Sequence, residues 1–422
     1  MGLKILLINP NRMKTPPVIP IGLEYLKSFL QKHQHYVKIL DLCFTSAPEK
    51  EIRSSLTKKK YDIVGFTIRN IDSSIYFNNE FYLAEIKKLV QCVKDYDIPI
   101  IIGGTGFSAM PEEILNYLEA DYGIVGPGDI AFQLFLDSWQ KNSLMSRIIN
   151  GWQHGPEANI IHRRGTDFNY SHYVKESGVI GFQTHFGCMN KCPYCIEAGK
   201  PFFFRKIESI IEELRFLVEQ GYDHFHLCDS EFNNDLSFSI DFCLALKKSN
   251  IPLKWILYMK PTPYNEDLFR LLGKTNAYLI TLSVDTDKRL QALNSYSYQD
   301  LKNIINYCKK FNIRLAIDLM TGYPGESLDS TKKGLNFFKK YCPDQVGIGF
   351  YYRLVKGTPL TELVINNSLF REKLTREIKV EDDFLQPVFY AHLEKETLEN
   401  LIEGERGFSI SGLKPGVNYQ KV

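Results

Sequence analysis

Short apolar runs alternate along this chain with segments whose apolar residues recur every three or four positions. The first run, Lys4 to Ile8, ends in Asn9-Pro10-Asn11-Arg12, after which Ile21, Leu23, Leu26, Phe29 and Leu30 repeat at helical spacing. The alternation continues through a strand at Val37 to Leu42, a helix near Glu49 to Lys58 and the run Ile63 to Ile68. A helix at Phe81 to Lys94, a strand at Ile98 to Ile102, a helix at Pro111 to Leu118 and a short strand at Tyr122 to Val125 complete it. Five strands interleaved with helices predict a doubly wound parallel sheet over residues 1–142. Residues 143–178, with Gly151-Trp152, Arg163-Arg164-Gly165 and few long apolar runs, read as a linker. A second alternation follows, with strands at Val179 to Phe182, His224 to Cys228, Lys254 to Tyr258, Ala277 to Val284, Ile313 to Met320 and Val346 to Tyr351. Helices at Ile207 to Gln220, Leu236 to Lys248, Asn265 to Leu272, Tyr298 to Phe311 and Ser327 to Tyr341 lie between them. Six parallel β/α units are predicted over residues 179–360, and residues 361–422 form a small C-terminal extension expected to cap them.

In an open α/β sheet, ligands bind outside the carboxyl ends of the strands. In the first domain these ends carry Asn9 to Pro17, Arg69-Asn70-Ile71-Asp72, Gly103-Gly104-Thr105-Gly106-Phe107-Ser108 and Gly126-Pro127-Gly128-Asp129. Glycines there permit positive φ and let a large ligand approach the backbone, although turn formation alone also accounts for them. The domain is Rossmann-like in layout, but G-x-G-x-x-G is missing after the first strand, which argues against NAD or FAD.

Charge narrows the partners. With 51 Lys+Arg against 49 Asp+Glu, the net charge of +2 gives no electrostatic reason for nucleic acid or an anionic membrane surface. No apolar run reaches the roughly 18 residues of a membrane span, and the N-terminus reads as a strand, so the expectation is a cytoplasmic protein. Nine unevenly spaced cysteines fit reduced thiols and a metal site better than a disulfide framework.

Three of those cysteines stand in Gly187-Cys188-Met189-Asn190-Lys191-Cys192-Pro193-Tyr194-Cys195, directly after a strand. A loop with these gaps can turn three sulfurs toward one point, and thiolates are the usual ligands of iron–sulfur clusters. A closed zinc site normally needs a fourth Cys or His from a second pair, and no such pair exists, although Cys228, Cys243, Cys308, Cys342 and His185 stay open as single fourth ligands.

The C-x3-C-x2-C spacing with an aromatic residue before the third cysteine resembles the radical S-adenosylmethionine (radical SAM) superfamily. The resemblance implies a TIM-like partial barrel and a 4Fe–4S cluster on Cys188, Cys192 and Cys195. It implies that S-adenosylmethionine chelates the fourth iron, with Tyr194 against the adenine. Strand-end residues Asp229, Ser230, Glu231, Ser283, Asp285 and Asp318 would lie near this cofactor, Glu231 or Asp229 meeting its ammonium and Asp285 its ribose. The first domain is similar to the cobalamin-binding domain of one branch of the superfamily, on Pro16-Pro17, Ile21-Gly22-Leu23-Glu24-Tyr25-Leu26, Ile68-Arg69-Asn70-Ile71-Asp72, Gly103 to Ser108 and Met110 to Leu115. Cobalamin contacts are accordingly expected at Asn9, Pro17, Arg69, Asn70, Asp72, Gly103, Gly104, Gly106, Phe107, Ser108, Gly126 and Gly128. Two features depart from the pattern. No D-x-H-x-x-G supplies a histidine to cobalt, so the resemblance implies a lower face covered by water or by a side chain, with Arg69 or Asn70 the candidates, and Pro127 removes a backbone donor from the fourth loop.

Both resemblances together imply C-methylation of an unactivated carbon of a small molecule, lipid or peptide, driven by a 5′-deoxyadenosyl radical and a cobalamin-borne methyl group. They also imply an external one-electron reductant of flavodoxin or ferredoxin type. Cobalamin-dependent cyclisation or rearrangement without methyl transfer, and a first domain that no longer binds cobalamin, are the alternatives that the sequence leaves open.

Overall fold

The computed structural model describes residues 2–143, 146–379 and 382–414. The chain forms two compact units. The first holds the chain up to Ser73, Glu80–Ile180 and Phe203–Gln220, and the second holds Ser74–Asn79, Gly181–Phe202 and the chain from Gly221 on.

The first unit is built on a six-stranded sheet of β1 (Lys4–Asn9), β2 (Tyr36–Asp41), β3 (Ile63–Thr67), β4 (Ile100–Gly103), β5 (Tyr122–Val125) and β6 (Ile148–Asn150) in the order β2-β1-β3-β4-β5-β6. Every pairing is parallel. Ile5 to Ile8 are buried because helices cover both faces, which is why β1 reads as an unbroken apolar run rather than an alternating one. The covering helices are α1 (Ile21–Lys32), α2 (Pro48–Lys58), α3 (Leu83–Lys94), α4 (Thr105–Ala109), α5 (Pro111–Leu118) and α6 (Asp129–Gln140), with a short α7 (Tyr170–Lys175) beyond β6. Chain direction across the sheet reverses between β1 and β3, so their carboxyl ends form the topological switch point.

Periodicity alone assigns β6 to the linker and α4 to a loop; the structure makes them a sixth strand and a helical turn. Part of that linker is fixed by buried charge. Arg164 bonds Glu24 of α1 at 3.4 Å and Glu213 at 2.7 Å, Arg205 meets Glu213 at 2.6 Å, and all four side chains are at most 2% exposed. Tyr170 donates to Glu24 at 2.6 Å and Tyr25 to Glu213 at 3.0 Å. Two guanidiniums thus face two carboxylates, the balance a desolvated cluster needs.

The second unit carries a seven-stranded sheet of β7 (Ile180–Phe182), β10 (His224–Leu227), β11 (Lys254–Met259), β12 (Ala277–Asp285), β13 (Arg314–Met320), β14 (Gln345–Gly349) and β17 (Phe408–Ile410). Their order across the sheet is β17-β14-β13-β12-β11-β10-β7. A two-stranded pair, β8 (His185–Cys188) with β9 (Lys200–Phe204), frames the cysteine loop, and β15 (Tyr352–Arg353) pairs with β16 (Phe389–Tyr390). Helices α9 (Leu236–Ser249), α10 (Glu266–Lys274), α11 (Lys288–Leu293), α12 (Tyr298–Lys310) and α13 (Leu328–Tyr341) occupy the crossovers, followed by α14 (Pro359–Ile365), whereas α8 (Ile207–Glu219) belongs to the first unit.

Six of the seven strands are those the apolar runs predict. The seventh, β17, comes from the segment expected to cap the barrel and pairs in parallel with β14 through Val346, Gly347 and Ile348. With only three residues it is too short for periodicity to reveal. Register fixes what the inner face presents. Ile256, Leu279 and Ala316 pack together at its base. Two to six residues further along, on the same faces, stand Lys260 just past β11, Ser283, Asp285 and Asp318. The strands therefore turn from apolar to polar toward their carboxyl ends. Among the described residues, no helix is long and apolar enough to cross a membrane.

Candidate active site

The cysteine loop is anchored from three directions. Leu360 at the start of α14 donates its N–H to the Pro193 carbonyl at 3.0 Å. Asn234, in the turn after β10, accepts from Met189 N at 3.3 Å and brings its amide nitrogen to 4.0 Å from Cys188 Sγ. Asn294, at the end of α11, accepts from Lys191 N at 3.3 Å and brings its amide nitrogen to 3.5 Å from Cys192 Sγ. Among the described residues, no three His, Cys, Asp or Glu side chains converge around a single metal ion. Three neighbouring thiols with amide donors on two of them fit the seat of an iron–sulfur core.

The turn Glu231-Phe232-Asn233-Asn234 serves three purposes. Asn233 is fully buried and clamps the end of β11, donating to the carbonyls of Lys260 at 2.9 Å and Pro263 at 2.6 Å and accepting from Lys260 N at 3.0 Å. Asn234 holds the cysteine loop. Glu231 points inward, its Oε2 buried without a hydrogen-bond partner. Burial pushes its carboxyl up to about 8, moderated by Ser283 and the Lys260 ammonium. Burial in turn lowers the Lys260 ammonium, and its attractive neighbours are Cys188, Glu231 and Cys192. A buried carboxylate oxygen that lacks a donor, beside an ammonium, is a site prepared for a ligand carrying its own positive group.

Tyr194 and Asp285 meet directly, the phenol donating to the carboxylate at 2.8 Å. Tyr296 O–H accepts the Asp285 N–H, also at 2.8 Å, and burial pushes the Asp285 carboxyl up to about 7. Tyr194 also packs on Tyr352, with ring centroids 5.1 Å apart. Ser283 and Asp318 are register partners and half-buried, and Ser230 is exposed.

Asp229 is engaged elsewhere. Its carboxylate accepts from Thr184 N at 2.8 Å, from the Thr184 hydroxyl and from His185 N at 3.3 Å, and it pairs with His185 Nδ1 at 3.0 Å. Two acidic side chains in one strand-end turn cannot both face the cavity, and the one nearer the strand turns back onto the loop that leads to Cys188.

At the carboxyl ends of the first unit's sheet, the loops after β3, β4 and β5 are hydrogen-bonded into one rim. Gly106 N donates to Ile68 O at 2.9 Å, the Thr105 hydroxyl to Arg69 O at 3.2 Å, and Gly126 N to Ser108 Oγ at 3.0 Å. Arg69, Asn70 and Gly103 lie along this rim, half-buried. Gly104 has φ +103, and a Cβ there would lie 2.6 Å from Ile68 O; one on Gly106 would lie 2.8 Å from Arg69 O. Those two glycines are required by loop-to-loop packing, whereas a Cβ on Gly128 would meet nothing within 4 Å.

Four expected contacts are turned inward. Phe107 is fully buried and its ring lies over Gly123, because residues 105–109 form a helix that rotates it into the core. Asn9, 1% exposed, donates to Asp41 at 2.8 Å and accepts from Asn11 N at 3.2 Å. Asp72 is 4% exposed and bridges to Phe81. Pro17 is buried, its carbonyl against Gly178.

Residues 15–136 match the B12 binding domain family and residues 182–338 match the radical SAM superfamily. The chain belongs to the radical SAM superfamily and carries a B12-binding domain ahead of its radical SAM domain. Among curated relatives of this radical SAM protein, tryptophan 2-C-methyltransferase of Streptomyces laurentii is 22% identical, covering 78% of this chain and 69% of the relative. The structure of the radical SAM methyltransferase TsrM from Kitasatospora setae, with tryptophan and a SAM analogue bound, superposes with a TM-score of 0.85 at 19% identity, over 95% of this chain and 88% of that one. The cobalamin-dependent radical enzyme OxsB superposes with a TM-score of 0.71 at 15% identity, over 95% of this chain and 66% of that one. These likenesses establish the two-part fold.

Sequence reasoning missed Lys260, Asn234 and Asn294. No local signal marks them, because Asn234 and Asn294 stand 46 and 102 residues from the cysteines they approach.

Proposed function

We propose that this protein is a cobalamin-dependent radical SAM C-methyltransferase that methylates an unactivated carbon of a small molecule, lipid or peptide. The observation that carries the reading is that Glu231, with a buried oxygen lacking a donor, stands in the same turn as Asn234, which holds the cysteine loop. An acceptor for an ammonium and a seat for a cluster are thereby built from four consecutive residues.

When bound, the cluster with S-adenosylmethionine supplies a radical and cobalamin supplies the methyl group, so the protein's task is to position and to shield. Cys188, Cys192 and Cys195 hold the cluster. Glu231 accepts the ammonium of S-adenosylmethionine and Lys260 faces its carboxylate, opposite charges in a desolvated site. Tyr194 lies along the adenine, while Asp285, fixed by Tyr194 and Tyr296, faces the ribose with Ser283 and Asp318 on the same wall. Arg69, Asn70, Gly103, Gly126 and Gly128 would hold cobalamin along this rim, with Arg69 and Asn70 supplying the polar side chains. A flavodoxin- or ferredoxin-type donor delivers the electron.

The test is anaerobic reconstitution with iron, sulfide and hydroxocobalamin, with iron and corrinoid quantified on one desalted sample. About four irons and one corrinoid per chain, followed by transfer of label from methyl-labelled S-adenosylmethionine to a candidate substrate, is the expected result. Cleavage of S-adenosylmethionine without methyl transfer would point to a rearrangement instead, and iron without corrinoid would remove the cobalamin assignment.

A further inference from the structure

Asn234 and Asn294 are oriented in the same way. Each amide oxygen accepts a backbone N–H from a residue next to a cluster cysteine, Met189 for Asn234 and Lys191 for Asn294, both at 3.3 Å. An amide that spends its oxygen on an N–H must present its NH2 on the other side. That side faces sulfur, at 4.0 Å for Cys188 and 3.5 Å for Cys192. The donor is therefore imposed by the fold of the loop itself. Asn234 is locked further, its Nδ2 also donating to the Glu231 carbonyl at 2.9 Å.

The two amides do not serve their sulfurs alike. Asn294 Nδ2 stands 3.5 Å from Cys192 Sγ, whereas Asn234 Nδ2 stands 4.0 Å from Cys188 Sγ and is shared with the Glu231 carbonyl. We infer that Asn234 and Asn294 are positioning residues that set the reduction potential of the cluster, Asn294 more strongly, by donating N–H···S hydrogen bonds to Cys188 and Cys192. This rests on those cysteines holding the cluster. Adding one electron makes the cluster more negative, and a donor on a ligand sulfur stabilises that charge, so each amide raises the potential and eases reduction by the external one-electron donor.

Asn294→Asp separates tuning from scaffolding, because a carboxylate oxygen still accepts Lys191 N–H but no donor remains for Cys192. The experiment is a potentiometric titration of the reconstituted full chain, followed by electron paramagnetic resonance of the reduced cluster, with iron per chain measured on every sample. Asn294→Asp and Asn294→Ala are each expected to keep full iron and to lower the reduced-to-oxidised ratio at fixed poise at least tenfold, a shift of 59 mV for a one-electron couple. Asn234→Ala should shift less and in the same direction. An unmoved potential in both Asn294 variants at full iron content overturns the inference. So does loss of iron from both, which would make Asn294 a scaffold for the loop. Wild-type protein that assembles no cluster would instead sink the radical SAM reading itself.

Discussion

The Tyr194 phenol donates to the Asp285 carboxylate across 2.8 Å, tying the cysteine loop to the carboxyl end of β12. Tyr194 thus has two separable roles, a hydroxyl that fixes the loop and a ring face proposed for the adenine. Tyr194→Phe keeps the face and loses the bond. Expected are a stability loss of about 1.5–3 kcal/mol in thermal unfolding and S-adenosylmethionine affinity within about threefold of wild type. Tyr194→Ala should weaken that affinity about tenfold or more, through loss of stacking. Equal affinity losses in the two variants would assign binding to the hydroxyl rather than the ring.

Glu231→Gln tests the ammonium site. Replacing a buried carboxylate by an amide removes a charge-assisted bond of about 1.5–3 kcal/mol, so S-adenosylmethionine should bind roughly 10- to 100-fold more weakly in equilibrium dialysis. Asp229→Asn should disturb the Thr184 and His185 contacts and lower stability instead. If dialysis ranked Asp229 above Glu231, the two assignments would have to be exchanged.

Gly104 and Gly128 should respond differently to alanine. At Gly104 the φ of +103 and the 2.6 Å approach to Ile68 O demand a backbone shift, so Gly104→Ala should cost on the order of 1–3 kcal/mol and lower corrinoid retention with it. At Gly128 the backbone has an ordinary φ of −94 and the space is open, so Gly128→Ala should unfold like wild type. Corrinoid content after desalting of Gly128→Ala then reads ligand contact alone, and undiminished retention would take Gly128 off the cobalamin rim.

Glu213 gives the first unit an acid-sensitive lock. Burial by itself would raise this carboxyl, but the Arg205 and Arg164 guanidiniums more than offset it and hold it at about 2. A depressed folded value means stability that is present above the unfolded value of about 4.3 and is lost as pH falls toward 2. The gap corresponds to about 3 kcal/mol. Glu24 runs oppositely, because burial outweighs Arg164 and raises its carboxyl, so its contribution falls as pH rises. Comparing wild type with Glu213→Gln isolates one site. The variant should be about 3–5 kcal/mol less stable in urea at pH 6, and the difference should narrow as pH is lowered from 4.5 to 2.5. A difference independent of pH would remove Glu213 as the titrating group.

The sequence by itself determined the two parallel α/β parts, their order and the three-cysteine loop. Each of these is local: strands such as Ile5 to Ile8 are buried on both faces and read as apolar runs, and a C-x3-C-x2-C loop carries its three thiols within eight residues. The tertiary structure alone decided which acidic side chain in Asp229-Ser230-Glu231 turns inward, since Thr184 and His185 claim Asp229 from the end of the neighbouring strand β7. It alone joined Arg164 to Glu24 and Glu213, turned Phe107 inward through a single helical turn, and recruited β17 as a seventh strand. It also brought Asn234, Asn294 and Lys260 to the cysteines. Hydrogen bonds between residues far apart in the chain depend on the path of the backbone in space, and periodicity reports only which face of its own element a residue occupies.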